Sequence, residues 1–135
     1  MQRFKTRPQF QAALSGELLA KSAHFALHRV ELIEPQREEH RLFPLQDTWL
    51  GAMAPKRWAK RAVTRNAIKR QIYSVSASLT SQLPASAFLV RLRREFSRHH
   101  YVSATSDALV QTIRSELIVL MGFATANQSV QDSGV

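Results

Sequence analysis

Residues 55–70 read Pro-Lys-Arg-Trp-Ala-Lys-Arg-Ala-Val-Thr-Arg-Asn-Ala-Ile-Lys-Arg. Seven of these sixteen residues are Lys or Arg, and none is Asp or Glu. From about residue 64 to residue 80 the apolar side chains recur every three or four positions, at Ile68, Ile72, Val75 and Leu79. That spacing predicts an amphipathic helix with one buried apolar stripe.

The polar side of this helix is basic. On a helix that advances about 100° per residue, five residues form one continuous flank beside the stripe: Arg65, Asn66, Lys69, Arg70 and Tyr73. Arg61 would fall on the stripe itself, so the regular helix is expected to begin after it. Planar guanidinium groups beside neutral donors suit phosphate oxygens, and a helix N-terminus adds backbone donors for an anion.

The charge of the whole chain is concentrated around this helix. Its 135 residues hold 19 Lys and Arg against 10 Asp and Glu, a net charge of +9 with a pI near 11.1. No acid occurs between Asp47 and Glu95, a segment with ten basic residues. An ordinary solvated helix face is the plainer reading, but typical surfaces intersperse both signs. The pattern therefore favours a polyanionic partner, either nucleic acid or an anionic membrane.

The N-terminal segment predicts a short helix. Thr6 is a candidate N-cap, with Gln9 in capping-box position and Pro8 in the first turn. Phe10, Leu14 and Leu18 recur at helical spacing, although Gly16 makes continuation beyond it doubtful. Phe10 and Leu14 at this spacing fit buried core positions and ligand contacts equally well.

The remaining segments complete one small domain. Strands are expected at 24–33, 48–54 and 87–93, a solvated acid-rich loop at 34–47, and an amphipathic helix at 107–121 that buries Leu109, Ile113, Leu117 and Leu120. The predicted fold class is α/β (α+β), a two-layer sandwich with α-β-β-α-β-α order. Residues 1–123 form the single domain, and residues 124–135 are expected to be a disordered tail.

Several function classes lack support in the sequence. There is no Cys, no apolar run approaches the roughly 18 residues of a membrane span, and no secretory signal is recognised at the start. Nuclease metal sites need clustered carboxylates, which the basic segment lacks. His24 and His28 would lie about 13 Å apart along a strand, too far to share a metal. His99-His100 is better read as a solvated pair than as a ligand pair. We expect a cytoplasmic protein without a metal site.

Three motifs resemble the signature of the bacterial ribonuclease P protein family: Leu50-Gly51, Pro55-Lys56-Arg57, and the run from Arg61 to Arg70. The resemblance spans about residues 3 to 121. It implies a strand–helix–strand crossover that is left-handed, against the usual rule. It also implies that an RNA subunit hydrolyses the phosphodiester bond using Mg²⁺, so that the protein supplies no catalytic residue and binds no cofactor itself.

The resemblance implies two RNA-binding surfaces. A protein oligomer is not expected. The helix and the loop before it would contact the ribonuclease P RNA through Lys56, Arg57, Lys60, Arg61, Arg65, Asn66, Lys69 and Arg70. A cleft between the sheet and the first helix would bind the single-stranded 5′ leader of precursor tRNA through Phe10, Leu14, Ala26 and His28, since single strands bind by stacking in a positive groove.

Two positions depart from the family pattern. Ala67 stands where the family has a second Arg, which removes one donor, and His28 stands where the family tends to have an aromatic residue, although an imidazole can still stack on a base. The alternative functions are a ribosomal or other structural RNA-binding protein, a free-standing nuclease, and a peripheral membrane protein.

Overall fold

The computed structural model describes residues 1–32, 42–96 and 107–125. It has one five-stranded sheet in the order β1-β4-β5-β3-β2, with helices on both faces. The elements are β1 (Gln2–Arg3), α1 (Arg7–Leu14), β2 (Glu17–Lys21), β3 (Phe25–Glu31), β4 (Trp49–Met53), α2 (Ala62–Ser78), β5 (Ser86–Leu92) and α3 (Asp107–Met121). Short 3-10 turns lie at Thr80–Gln82 and Gly122–Ala124.

The predicted mixed α+β class is confirmed, but the sheet has two more strands than predicted. β1 contributes two residues, paired parallel to β4. β2 pairs antiparallel to β3, and it contains Leu18, which the sequence allowed as a helical continuation. β1 has only two residues, too few to show an alternating pattern in the sequence, and it is defined only by its hydrogen bonds to a partner strand.

The larger core lies between the sheet and the pair α2 and α3. Three of the four predicted stripe residues of α2, Ile68, Ile72 and Val75, are buried, while Leu79 lies at the C-cap and is partly buried against the same core. All four predicted residues of α3 are buried. They pack on alternate residues of the strands, among them Leu27 and Phe88. The two helices are also linked by Arg114, whose Nη1 donates to Gln71 Oε1 at 2.9 Å and Ser74 Oγ at 3.1 Å.

A smaller core lies on the opposite face, beneath α1. The predicted capping box is present, with Gln9 N donating to Thr6 Oγ1 at 3.3 Å and Thr6 N donating to Gln9 Oε1 at 3.0 Å. Gly51 is required here, because a Cβ at this position would overlap the ring of Phe4. Phe43 is buried in this core, so the prediction of a solvated loop is wrong at that position. The reason is that aromatic rings from Phe4 and Trp49 lie close enough to cover it.

The C-terminal boundary differs slightly from the predicted one. Ala124, placed at the start of the tail, is 4% exposed and belongs to the larger core. Residues 126–135 of the predicted tail, most of the acid-rich loop (34–41), the last residue of the strand predicted at 24–33 and the His99-His100 pair lie outside the described residues.

β4 and β5 are parallel neighbours joined through α2, which is the predicted strand–helix–strand unit; its left-handedness stays a prediction. Within the described ranges, no helix has both the length and the apolarity to cross a bilayer.

Candidate nucleic-acid interface

The loop between β4 and α2 is ordered by its own backbone. Pro55 O accepts hydrogen bonds from Trp58 N at 3.0 Å and Ala59 N at 3.1 Å, and Ala59 is buried in the larger core. Arg61 follows as the N-cap of α2, in extended conformation and without a side-chain cap hydrogen bond. The helix therefore begins directly after Arg61, as predicted, and no cap side chain occupies the amide groups of its first turn.

Arg65 ties this loop to the first turn of α2. Its Nη1 donates to the carbonyl oxygens of Ala59, at 3.1 Å, and Lys60, at 2.8 Å. One predicted RNA contact therefore also holds the loop that presents two others, Lys60 and Arg61.

We call the eight predicted RNA-subunit contacts the basic surface: Lys56, Arg57, Lys60, Arg61, Arg65, Asn66, Lys69 and Arg70. Six of them are exposed, and Arg65 and Lys69 are partly buried. Among the described residues, no carboxylate forms an ion pair with any of their cations. All eight come from α2 and the loop that enters it, and three of them, Asn66, Lys69 and Arg70, line one groove. Apart from Arg65 Nη1, which donates to the loop carbonyl oxygens, the donors of these side chains therefore remain available to an external anion.

A groove of about 560 Å³ extends this surface toward the edge of the sheet. It brings the two predicted surfaces together, because its lining includes Phe10 from α1 and Asn66, Lys69 and Arg70 from α2. Five lining residues are absent from the predicted sites, and two of them form a contact with each other. These are Tyr73 and, from β1, Arg3, whose guanidinium carbon lies 4.0 Å from the centre of the Tyr73 ring.

The four predicted leader-cleft residues divide into two pairs. Phe10 is partly buried, with its ring 5.1 Å from that of Phe4, and Leu14 is 40% exposed. The buried face of α1 is formed instead by Gln9 and Ala13. Phe10 and Leu14 thus retain surface that a ligand can contact.

The second pair lies on β3 and is covered. Ala26 has no exposed surface and His28 is 6% exposed. His28 Nε2 accepts a hydrogen bond from Arg91 Nε at 2.9 Å, so the ring proton belongs on Nδ1, which has no partner among the described residues. Burial, reinforced by the Arg91 charge, lowers the pKa of His28 below its ordinary value of 6.5. The imidazole is therefore neutral, and as placed it offers no open face for stacking.

Ala67, the departure from the basic pattern, is 6% exposed. On the helix it lies on the side of Gln71 and Ser74, the two residues that accept from Arg114 of α3. The missing Arg thus falls on the flank that faces α3, a flank that includes Ser74, one of the residues lining the groove.

Sequence reasoning missed two cations and underused one aromatic residue. Tyr73 was recognised on the polar flank, but Arg3 is brought to it only by the pairing of β1 with β4. Arg91 could be found only through the register that pairs it with Ala26, from where it reaches His28 diagonally. Within the described part of the chain, no three His, Cys, Asp or Glu residues are grouped to hold a metal ion. His24 bonds to Glu116, at 2.8 Å.

Comparisons with known proteins agree with this architecture. The profile of a family described as Ribonuclease P matches residues 1–115. The ribonuclease P protein component of Bordetella parapertussis is 32% identical over 109 residues, covering 81% of this chain and 80% of that protein. The corresponding protein of Bordetella petrii is 33% identical with the same coverage.

Solved structures show the same fold at lower identity. The RNase P protein from Staphylococcus aureus superposes with a TM-score of 0.65 at 21% identity, covering 92% of this chain and 95% of that one. The RNase P protein from Thermotoga maritima gives a TM-score of 0.61 at 17% identity, covering 89% and 94%.

Proposed function

The chain belongs to the ribonuclease P protein family, and from that membership we propose that it binds the catalytic RNA of ribonuclease P and the 5′ leader of precursor tRNA. As a protein component of this family, it is part of a tRNA-processing ribonuclease and a partner of ribonuclease P RNA. In the proposed reaction the RNA subunit cleaves the leader from the tRNA, and the protein increases the affinity for both RNAs.

One observation carries this proposal. The basic surface presents its cations without a carboxylate partner among the described residues, which is costly unless an anion of another molecule compensates them. Each phosphate that such a cation neutralises releases counterions, so a row of contacts can dominate the affinity for RNA. Because α2 is packed into the core through its other face, the helix backbone that carries part of this row is held in place.

The division of labour in catalysis follows from the same chemistry. Lys, Arg and Asn side chains donate to phosphate oxygens, whereas Mg²⁺ needs oxygen ligands that carry negative charge or lone pairs. The charged groups of the proposed interface are all cations, which repel Mg²⁺. We therefore assign the Mg²⁺ ions and the bond breaking to the RNA subunit. To the protein we assign the positioning of the RNA subunit and of the precursor leader.

For the leader, the groove beside Phe10 is a better supported contact than the sheet residues Ala26 and His28. It combines Phe10 with the cations of α2, and base stacking beside cations is the usual way to bind single strands. Ala26 and His28 are buried, so in this conformation they support the cleft from beneath. The same proposal places the chain in the cytoplasm, where precursor tRNA is made, as one copy on each RNA subunit.

Reconstitution tests the proposal. The protein is added to the ribonuclease P RNA of its own organism at low Mg²⁺, and cleavage of precursor tRNA is measured. We expect strong stimulation by the wild-type protein, and no cleavage by protein freed of RNA, with or without Mg²⁺. Robust cleavage by the protein alone would overturn the division of labour.

The leader contact has its own test. Phe10→Ala should reduce the affinity gain for precursors that carry a leader, while affinity for leaderless tRNA stays unchanged. Leu45→Ala is the matched control, because Leu45 is an exposed apolar residue that does not line the groove.

The alternative is a structural RNA-binding protein outside any catalytic complex, such as a ribosomal protein. Cations without carboxylate partners would suit this function as well. It would be favoured if the protein did not stimulate cleavage by ribonuclease P RNA but bound another RNA tightly.

A further inference from the structure

The N-terminal strand β1 places a cation in the groove. Gln2 N donates to Thr48 O at 2.8 Å and Phe4 N donates to Leu50 O at 2.9 Å, so the residues on both sides of Arg3 are bonded to β4 and to the residue that precedes it. The Gln2 side chain also donates to Asp47 Oδ2 at 3.1 Å. Phe4 is 6% exposed in the smaller core. Arg3 is therefore held in position although β1 is only two residues long.

The side chain of Arg3 is also supported. Its guanidinium lies over the ring of Tyr73, 4.0 Å from the centroid, and this cation–π contact restricts a side chain that would otherwise sample many rotamers. Arg3 is exposed, and it forms no ion pair with a carboxylate of the described residues. A stacked guanidinium keeps its in-plane N–H donors free for a planar, bidentate partner.

The groove around this pair has the chemistry of a nucleotide-phosphate site. Asn66, Lys69 and Arg70 line it together with Arg3 and Tyr73, and no acid does. Its volume of about 560 Å³ lies within the range of about 300–1,000 Å³ usual for small-molecule pockets. That space suits one nucleotide of a single strand.

We propose that Arg3, held on Tyr73, forms a phosphate-binding subsite with Asn66 and Arg70 for a single-stranded RNA segment. The inference rests on the proposed function and adds a named position to it. The subsite connects the basic surface of α2 with Phe10 of α1, so the bound strand passes from one to the other. Arg3 acts by contacting the RNA, and Tyr73 acts as a positioning residue that orients the guanidinium.

The phosphate could belong to the precursor leader or to the RNA subunit, and two measurements distinguish these sources. The first is the affinity of the reconstituted holoenzyme for precursor tRNA with a leader and without one. The second is the affinity of the protein for ribonuclease P RNA alone. Arg3→Gln should weaken one of the two by about 5- to 10-fold and reduce its salt dependence by about one contact.

Matched variants separate the subsite from charge and folding effects. Arg7→Gln removes the same charge from an exposed residue that does not line the groove, and it should change either affinity by less than about twofold. Tyr73→Phe keeps the aromatic face and should bind like wild type, whereas Tyr73→Ala should reproduce the loss of Arg3→Gln. Arg3→Lys keeps the charge without the planar fork, so its RNA affinity should lie between those of wild type and Arg3→Gln. Thermal melting of each variant checks that it is folded.

The inference is overturned if folded Arg3→Gln binds both RNAs as tightly as Arg7→Gln does, or if Tyr73→Ala leaves both affinities unchanged. The proposed function is tested separately by Lys60 and Arg61, which do not line the groove. Loss of RNA binding on their substitution, with none at Arg3, would retain the function and remove only this subsite.

Discussion

Two regions of the molecule use charge in opposite ways. In the turn between β2 and β3, Glu116 of α3 accepts hydrogen bonds from Ser22 Oγ, from His24 N at 2.7 Å and from His24 Nδ1 at 2.8 Å. On the basic surface, by contrast, no cation has a carboxylate partner among the described residues. Charge in the first region holds elements of the fold together, whereas charge in the second is left for another molecule.

The contrast shows why counting charged residues is a poor guide to their roles. Burial opposes the ionisation of Glu116, but the hydrogen bonds from Ser22 and His24 outweigh it and hold the pKa of this carboxyl below its ordinary value of 4.5. That carboxylate is therefore part of the fold. The exposed cations of α2 have no comparable internal partners, so substituting them should change binding more than stability.

The largest expected effect is on the basic surface. Lys60→Glu combined with Arg61→Glu should weaken binding to ribonuclease P RNA by about 100-fold or more, because two attractive contacts become repulsive. The free energy of unfolding should not decrease, since both residues are exposed. Filter binding and urea unfolding measure the two quantities. Unfolding of the variant would show that these cations stabilise the fold after all.

The next largest effect is expected at Glu116, where it should change stability and leave RNA binding nearly unchanged. Glu116→Ala removes the acceptor of three hydrogen bonds, so the free energy of unfolding should fall by about 2–4 kcal/mol. The affinity of the folded variant for RNA, measured at low temperature, should stay within about twofold of wild type. Glu17→Ala is the control, because Glu17 forms an exposed ion pair with Arg29 at 2.8 Å and should cost less than about 1 kcal/mol. Equal losses in both variants would contradict the structural role of Glu116.

Arg65 should combine both behaviours. It belongs to the basic surface and also donates to two loop carbonyls, so Arg65→Ala should lower RNA affinity by about 10-fold and stability by about 1 kcal/mol. Arg70→Ala removes the same charge from an exposed residue, and it should lower affinity without lowering stability. A stable Arg65→Ala variant would show that the loop does not depend on this guanidinium.

The smallest effect is a pH dependence that originates at His28. Its pKa is lower in the folded protein than the ordinary value of 6.5, so the unfolded chain binds more protons in the window below 6.5. The contribution of His28 to stability is therefore complete above pH 6.5 and is lost as the pH falls toward the folded-state pKa. Urea unfolding between pH 7.5 and 5.5 should show a smaller loss for His28→Gln than for wild type. Parallel curves would contradict this assignment.

Local patterns in the sequence were sufficient for the helices and for the location of the charge. The capping box at Thr6, the apolar stripe of α2 and the full extent of α3 were all predicted, because helical periodicity and capping depend on residues a few positions apart. The basic flank of α2 follows from the same periodicity. Its assignment to an RNA partner depended on the resemblance to a family, since charge alone also fits other polyanions.

Tertiary structure alone decided how these elements meet. β1 exists because β4 lies beside it, Phe43 is buried because Phe4 and Trp49 cover it, and Arg3 reaches Tyr73 through that same pairing. Ala26 and His28 are covered, although a strand pattern cannot show which face another element covers. The physical reason is that hydrogen bonds and packing between segments distant in the chain leave no short-range periodicity, whereas a helix records its own face in its sequence.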